Sequence, residues 1–146
     1  MQIRAMTSKD VDRAYQITLS TREKSYTREG MTAVGITEDS VRKMLDVDHT
    51  HQGWVCEVEN QMVGFAMGNK STTEFWVIAV LPDFEHRGIG TSLADKIEGG
   101  LRDEGKEEAW LAVLKEVQVD GYAFFKARGW QDGEDRGPFR VMKKKL

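Results

Sequence analysis

The stretch that decides the fold is residues 74–93, EFWVIAVLPDFEHRGIGTSL. Six of its first seven residues are apolar, which predicts a strand near the centre of a sheet, covered on both faces. A loop with Pro82, Gly88 and Gly90 follows, and apolar residues at helical spacing predict a helix over 91–104. Unpaired backbone N–H groups and the helix dipole favour an anion at a helix start. The stretch therefore predicts a strand, an anion-binding loop and a helix.

The side chains around these glycines suit the same anion. Glycine lets an anion approach the backbone, His86 and Arg87 add positive charge, and the hydroxyls of Thr91 and Ser92 can donate hydrogen bonds. Two phosphate-binding signatures are not met. The dinucleotide fingerprint needs Gly or Ala where Leu93 stands, and the Walker loop needs Gly-Lys-Ser or Gly-Lys-Thr. An ordinary helix cap with two incidental glycines remains an alternative interpretation.

Outward from this stretch, the chain alternates strand-like and helix-like segments. Period-two alternation predicts a hairpin with strands over 54–59 and 62–68. The other expected elements are a strand over 2–6, a helix capped by Thr7 or Ser8, a loop or short helix within 21–36, a helix capped by Thr37, a strand over 109–114, a helix over 120–128, and closing strands at Trp130 and 139–143 around a turn at Asp132-Gly133. This order predicts an α/β or α+β layer sandwich with a mixed sheet and helices on both faces.

The size and charge of the chain limit its class. Its 146 residues predict one domain, 1–146, of ordinary size. The net charge of −3 argues against nucleic acid as a partner, and the basic run 143–145 is expected to be a solvated tail. Cys56 is the single cysteine, which excludes an intramolecular disulfide and fits a reducing, cytoplasmic location. No apolar stretch approaches ~18 residues, so we expect neither a membrane span nor a standard signal peptide.

The central strand, Val80-Leu81-Pro82, the charged loop, Gly88-Ile89-Gly90 and the helix that follows resemble the acetyl-CoA site of the GNAT family of N-acetyltransferases. Other parts of the chain sit where that family has its equivalents: Arg4 before an acid-rich first helix, Gly64-Phe65 in the hairpin, and FFKARGW at 124–130. The resemblance covers nearly the whole chain. It implies one acyl-CoA N-acyltransferase (GNAT) domain over 1–146, with a mixed, mostly antiparallel sheet of six to seven strands and helices on both faces.

The resemblance also implies a cosubstrate, acetyl-CoA or coenzyme A, and the residues that hold it. Its pyrophosphate would lie on the loop amides. Its pantetheine arm would pair with the end of the central strand, which in the family carries a bulge and splays from the next strand, here 109–114. The implied binding residues are Ile78, Ala79, Val80, His86, Arg87, Gly88, Ile89, Gly90, Thr91, Ser92 and Phe125. Glu85 stands where the family usually has Gln or Arg, and we expect it to turn to solvent.

Acetyl transfer to an amine needs a base, because an alkyl ammonium has a pKa near ~10. Glu74 is the candidate: some family members carry a catalytic Glu at the matching position, and a carboxylate in an apolar strand should have a raised pKa. In a flat strand Glu74 would share a face with Trp76 and Ile78. The alternative is that Glu74 ends the strand in solvent. Backbone N–H groups of 78–80 could polarise the thioester carbonyl.

The family's usual Tyr and Asn, the first of which often protonates the leaving thiolate, are replaced here by Phe125 and Gln118. Tyr122 lies one helical turn from Phe125 and is the candidate acid, with an ordinary core role for Tyr122, or water as the acid, as alternatives. We expect no metal site, because His49 and His51 are interpreted as parts of a solvated loop.

The implied function is direct transfer of an acetyl group from acetyl-CoA to a primary amine of a small molecule or protein. The alternative is a non-catalytic coenzyme A-binding module, a sensor or partner domain, because the family Tyr is missing. The acceptor pocket should form from 21–36, the hairpin and the C-terminal strands. Trp76, Trp130 and Tyr26 either line that pocket or belong to the core. Dimers are common in the family, so a homodimer is a further partner to test for.

Overall fold

The computed structural model describes residues 1–21, 27–115 and 120–146. Gln118, Tyr26 and part of the expected acceptor segment 21–36 lie outside the described residues. The strands are β1 Gln2–Ala5, β2 His51–Val58, β3 Gln61–Asn69, β4 Glu74–Val80, β5 Glu108–Leu114, β6 Gln131–Arg136 and β7 Phe139–Lys145. The helices are α1 Val11–Leu19, α2 Arg28–Ala33, α3 Glu38–Asp46, α4 Ile89–Asp103 and α5 Asp120–Ala127.

The strands form one seven-stranded sheet in the order β1-β2-β3-β4-β5-β7-β6. Every neighbouring pair is antiparallel except β4 and β5, which are parallel. One buried cluster lies between the sheet and helices α4 and α5, and a second lies between the opposite face and helices α1 and α3. The predicted mixed, mostly antiparallel sheet with helices on both faces is therefore confirmed.

The sequence of α4 explains how it covers its face of the sheet. Four apolar side chains recur at three- and four-residue spacing and are 0% exposed: Leu93, Ala94, Ile97 and Leu101. Gly105 follows the helix with a φ of +80°, a conformation that glycine adopts without strain and that commonly ends a helix. These four apolar side chains fix the apolar face of α4 against the sheet. The first turn of the helix lies at the end of β4.

Strand β4 has the predicted bounds and the predicted central position, but it is covered less fully than expected. Phe75 and Ala79 are buried, and the other five side chains are half-buried. The reason lies in its pairing with β5, which consists of one register position, Glu74 with Trp110. Beyond that pair the two strands diverge, as the resemblance implied, and β4 loses a neighbour along most of one edge.

A bulge in β4 changes which side chains share a face. Met67 pairs with Val77 and Gly68 with Phe75, so Trp76 is an extra residue in the ladder. As a result Trp76 and Val77 both pack on the α1 side of the sheet, whereas Ile78 packs on the α4 side. The expectation that Glu74, Trp76 and Ile78 share one face is therefore wrong for Ile78.

Other segments differ from expectation in smaller ways. The closing hairpin does not turn at Asp132-Gly133, which lie inside β6, but at Gly137-Pro138. Gly137 has a φ of +58°, and a left-handed glycine followed by proline suits a two-residue turn. Within the described part of segment 21–36 the chain forms the short helix α2. None of the helices in the described ranges is long and apolar enough to cross a membrane.

Candidate active site

The loop between β4 and α4 reverses the chain through two left-handed residues. His86 has a φ of 62° and Gly88 a φ of +81°. Gly88 is the N-cap residue of α4, and no side chain caps the helix there. The first N–H groups of a helix have no partner within the helix, so the loop presents them together with the positive end of the helix dipole. This geometry matches the predicted anion site.

The side chains of the loop divide into anchors and exposed groups. Ile89 is 2% exposed and belongs to the core, so it can offer a ligand only its backbone. His86, Gly88 and Thr91 are exposed, and Ser92 and Gly90 are half-buried.

The loop also carries two charged side chains, those of Arg87 and Glu85. The Arg87 Nη2 donates to the Asp83 carbonyl oxygen at 3.2 Å, and its guanidinium lies 5.0 Å from the centre of the Phe84 ring. A positive charge is thereby held beside the helix start. Glu85 is half-buried and interacts with other groups of the chain, so the expectation that it turns to solvent is not met in full.

The diverging strands open beside this loop. Residues 78–80 of β4 have no strand partner on β5, so that edge of β4 presents N–H and C=O groups that a ligand can pair with. A Cβ added to Gly90 would lie 3.4 Å from Cε1 of Phe124, which places Phe124 next to the first turn of α4. Ile78, Ala79 and Val80 are thus brought close to the anion site, as predicted.

Phe125, one of the predicted binding residues, is part of the core. It is 5% exposed, and its ring makes edge-on contacts with Phe75 at 5.1 Å and Trp130 at 5.5 Å between ring centres. The side chain of α5 that approaches the loop is Phe124. The resemblance implied Phe125 of this helix, whereas the ring next to Gly90 is that of its neighbour Phe124.

The candidate base Glu74 lies at the closed end of the opening. It is half-buried, and burial raises its pKa, because a charged carboxylate loses hydration there. The predicted direction is therefore confirmed. Glu74 and Ile78 are four residue steps apart along the strand, which is about 13 Å. An amine bound near Ile78 would need a relay such as water to pass its proton to this carboxylate.

The candidate acid Tyr122 is engaged elsewhere. Its hydroxyl is 2.9 Å from both carboxylate oxygens of Asp132, to which it donates. The Arg140 guanidinium lies 5.3 Å from the centre of its ring. Tyr122 is neither a buried core residue nor a hydroxyl free to face the opening, and the described contacts do not bring it to Glu74.

A cavity lies between α1, α2, α3 and the sheet, in part of the region where the acceptor pocket was expected: residues of 21–36 and of the hairpin line it, and the C-terminal strands do not. Its volume is about 110 Å³, and its lining includes Ala14, Tyr15, Met31, Phe65, Trp76 and Val77. We call it the Tyr15 cavity. Of the three aromatic residues expected at an acceptor pocket, Trp76 lines this cavity, whereas Trp130 is 1% exposed and belongs to the core. The bulge, which carries no sequence signature, turns Trp76 and Val77 toward it.

No metal site was expected, because His49 and His51 were interpreted as parts of a solvated loop. In the structure, His51 has a defined packing role. His51 lies at the start of β2, and its ring packs edge-on against Trp76 at 4.7 Å between ring centres. Across residues 1–21, 27–115 and 120–146, no group of three or more His, Cys, Asp or Glu side chains is placed to hold a metal.

The chain is similar in sequence to a family of known proteins and in fold to several solved structures. A family model described as the Acetyltransferase (GNAT) family matches residues 11–130. An uncharacterized N-acetyltransferase of Chlorobaculum tepidum is 29% identical over 91 residues, which cover 60% of this chain and 55% of the relative. One of Methanocaldococcus jannaschii is 30% identical over 103 residues, which cover 62% and 44%. The chain spans about half the length of these curated relatives.

Solved structures share the fold over the whole chain. The paia N-acetyltransferase of Thermoplasma acidophilum, solved in complex with coenzyme A, aligns with a TM-score of 0.82 at 18% identity and covers 100% of both chains. The ribosomal-protein-alanine N-acetyltransferase of Brucella melitensis aligns with a TM-score of 0.77 at 15% identity, again over 100% of both chains. At these identities the likeness concerns the fold.

Proposed function

The chain belongs to the Acetyltransferase (GNAT) family, and from this premise we propose that it is an N-acetyltransferase. The reaction is direct transfer of an acetyl group from acetyl-CoA to a primary amine of a small molecule or protein. The observation that carries the proposal is the uncapped first turn of α4 beside the unpaired edge of β4. Residues 1–146 act as a single domain in this proposal.

The two halves of the site suit the two ends of coenzyme A. The N–H groups of 86–91 and the dipole of α4 hold the pyrophosphate, and Arg87 adds a fixed positive charge. The unpaired edge at 78–80 pairs with the amide groups of the pantetheine arm. The structurally similar Thermoplasma acidophilum protein was solved in complex with coenzyme A, which supports coenzyme A as the ligand.

Acetyl-CoA supplies the acetyl group as an activated thioester. The backbone N–H groups of 78–80 stabilise the negative charge that develops on the thioester oxygen. Glu74, whose pKa burial raises, accepts the proton of the amine through water. The hydroxyl of Tyr122 is held by Asp132, so water protonates the leaving thiolate.

Calorimetric titration with acetyl-CoA tests the binding half of the proposal, and the chain offers a matched pair of variants. Gly88 and Gly105 have φ values of +81° and +80°, and a Cβ at either would meet nothing within 4 Å. Gly88→Ala and Gly105→Ala therefore carry the same backbone strain, about 1–2 kcal/mol. Only Gly88 lies in the anion loop, so we expect Gly88→Ala to weaken acetyl-CoA roughly tenfold and Gly105→Ala to leave it unchanged. No binding to the wild type at millimolar concentration would reject the proposal.

A non-catalytic coenzyme A-binding module is the second candidate. It is favoured by Phe125, which has no hydroxyl where the family usually has Tyr, and by the Tyr122 hydroxyl, which is engaged by Asp132. Release of coenzyme A with a broad panel of amines decides between the two. Turnover supports the enzyme, and tight binding without turnover supports the module.

A further inference from the structure

The size and lining of the Tyr15 cavity set the kind of group that it can take. Apolar side chains such as Met31, Phe65 and Val77 dominate its lining. An engineered apolar cavity of about 150 Å³ holds benzene. By proportion a cavity of about 110 Å³ takes about four carbons. A branched aliphatic group of that size fits it, whereas a charged group would lose its hydration there without compensation.

One polar group that lines the cavity can form a further hydrogen bond. Tyr15 is 5% exposed, and its hydroxyl is buried without a hydrogen-bond partner among the described residues. The other hydroxyl of the lining, that of Thr18, donates to the Ala14 carbonyl oxygen at 3.0 Å. A buried group without a hydrogen bond is unfavourable, so the Tyr15 hydroxyl points to a ligand that would complete it.

The ring that carries this hydroxyl is held in place. The Arg28 guanidinium lies 4.6 Å from the centre of the Tyr15 ring. Arg28 is in turn paired with Glu38 at 3.2 Å. The first residue of α2 therefore packs on the Tyr15 ring from the solvent side.

The cavity lies next to the proposed reaction centre. Its wall includes Trp76 and Val77, and the next residue, Ile78, belongs to the part of β4 that has no strand partner on β5. One strand residue spans about 3.3 Å, so a group in the cavity and an amine at that edge can belong to one small molecule. The Trp76 ring of this wall packs edge-on against the His51 ring.

We propose that the acyl acceptor is an amine with a branched aliphatic group of about four carbons, which occupies the Tyr15 cavity, and with an oxygen on that group, which pairs with the Tyr15 hydroxyl. This substrate class rests on the proposed function. It predicts that amines with a branched aliphatic group are acetylated in preference to smaller amines. The anion loop and the strand edge alone do not produce this preference.

The test compares three amines at saturating acetyl-CoA, with coenzyme A release as the readout: ethylamine, isopentylamine, and isopentylamine hydroxylated at its branch carbon. We expect wild-type kcat/KM for isopentylamine to exceed that for ethylamine by about tenfold or more. Ala14→Leu fills the cavity and should bring that ratio close to one. Ala33→Leu makes the same change at an exposed position of α2 and should keep the wild-type ratio.

Tyr15→Phe tests the hydroxyl with almost no change in shape. It should reduce the preference for the hydroxylated amine over isopentylamine by about five- to tenfold. Because this variant is nearly isosteric, it decides the proposal if Ala14→Leu does not fold.

Three outcomes would overturn the inference. Equal use of ethylamine and isopentylamine by the wild type, with turnover intact, rejects the substrate class and leaves the proposed function standing. A higher Tm of Ala14→Leu with an unchanged ratio shows that the cavity is an internal void. Absence of turnover with every amine rejects the proposed function and this inference together.

Discussion

Glu74 is the residue at which stability and activity should oppose each other. Its charged form is the base, yet burial raises its pKa above the ordinary 4.5, so kcat/KM should rise with pH until Glu74 is fully charged. We expect Glu74→Gln to lower kcat/KM by about a hundredfold or more and to remove this rising limb. Coenzyme A release measured across pH checks both.

The stability of the same variant has a definite sign. Because the folded pKa is raised, the stabilising contribution of Glu74 is present below 4.5 and lost as pH rises through the folded pKa. Glu74→Gln should therefore melt at a higher temperature than the wild type at neutral pH, and the difference should shrink in acid. Glu108→Gln, at an exposed first position of β5, should change neither property. An unchanged rate in Glu74→Gln would favour a solvated strand end instead.

Single residues were predictable where local sequence decides their geometry. The helix cap at Thr37, which accepts a hydrogen bond from the Ser40 N–H at 3.1 Å, needs only its neighbours in sequence. The orientation of Phe125 toward Phe75 depends on a strand far away in the chain. The position at which the family usually has Tyr therefore located α5 in the sequence. It did not predict that the Phe125 ring at this position packs in the core.

At the scale of elements, a buried carboxylate joins α4 to the C-terminal part of the chain. Glu98 of α4 is 4% exposed. It accepts hydrogen bonds from Arg128 Nε at 2.9 Å, Lys144 Nζ at 2.7 Å and Trp130 Nε1 at 3.3 Å. Burial by itself would raise the pKa of Glu98, but these cations outweigh it and hold the pKa below the ordinary value. The carboxylate therefore stays charged.

Removing that charge should weaken the fold. Glu98→Gln leaves Arg128 and Lys144 without their counter-charge, and we expect the free energy of unfolding to fall by about 3 kcal/mol. Because the folded pKa is lowered, this contribution is present above 4.5 and is lost as pH falls through the folded pKa. Urea denaturation at several pH values should show the difference shrinking in acid.

A neighbour on the same helix gives the control for this prediction. Asp95 also pairs with Arg128, at 2.7 Å, but its side chain is 65% exposed. Asp95→Asn should therefore cost less than about 1 kcal/mol. Equal losses in Asp95→Asn and Glu98→Gln would mean that burial of the carboxylate adds nothing to the cluster.

Elements were predicted best where one pattern covers their whole length. The bounds of β4 and the apolar stripe of α4 follow from residue periodicity. The resemblance implied a bulge in β4, but its position at Trp76 does not follow from periodicity, because it depends on how β4 registers with β3. The lining of the Tyr15 cavity was predicted only in part for the same reason, since the bulge turns two successive side chains toward it. Pairing between strands is a tertiary property that a period-two pattern does not contain.

On the scale of the whole molecule, the sheet has two parts. Strands β1 to β4 form one part, and β5, β7 and β6 form the other, with a single register position between them. Helix α4 packs on the first part and reaches the second through Glu98. The molecule can therefore hold its strands apart at one end without separating its two parts.

This division predicts where acetyl-CoA should change the dynamics of the protein. Bound pantetheine would pair with the edge of β4, and pyrophosphate would occupy the N–H groups at the start of α4, so amide hydrogen exchange should slow at 78–80 and 88–92. Exchange in β2, which already has a partner strand on both sides, should stay the same. Gly88→Ala at the same acetyl-CoA concentration should show the slowing reduced in both segments. Slowing spread evenly over all strands would mean that the ligand tightens the whole fold, and protection at 88–92 without 78–80 would reject the strand-like role of the pantetheine arm.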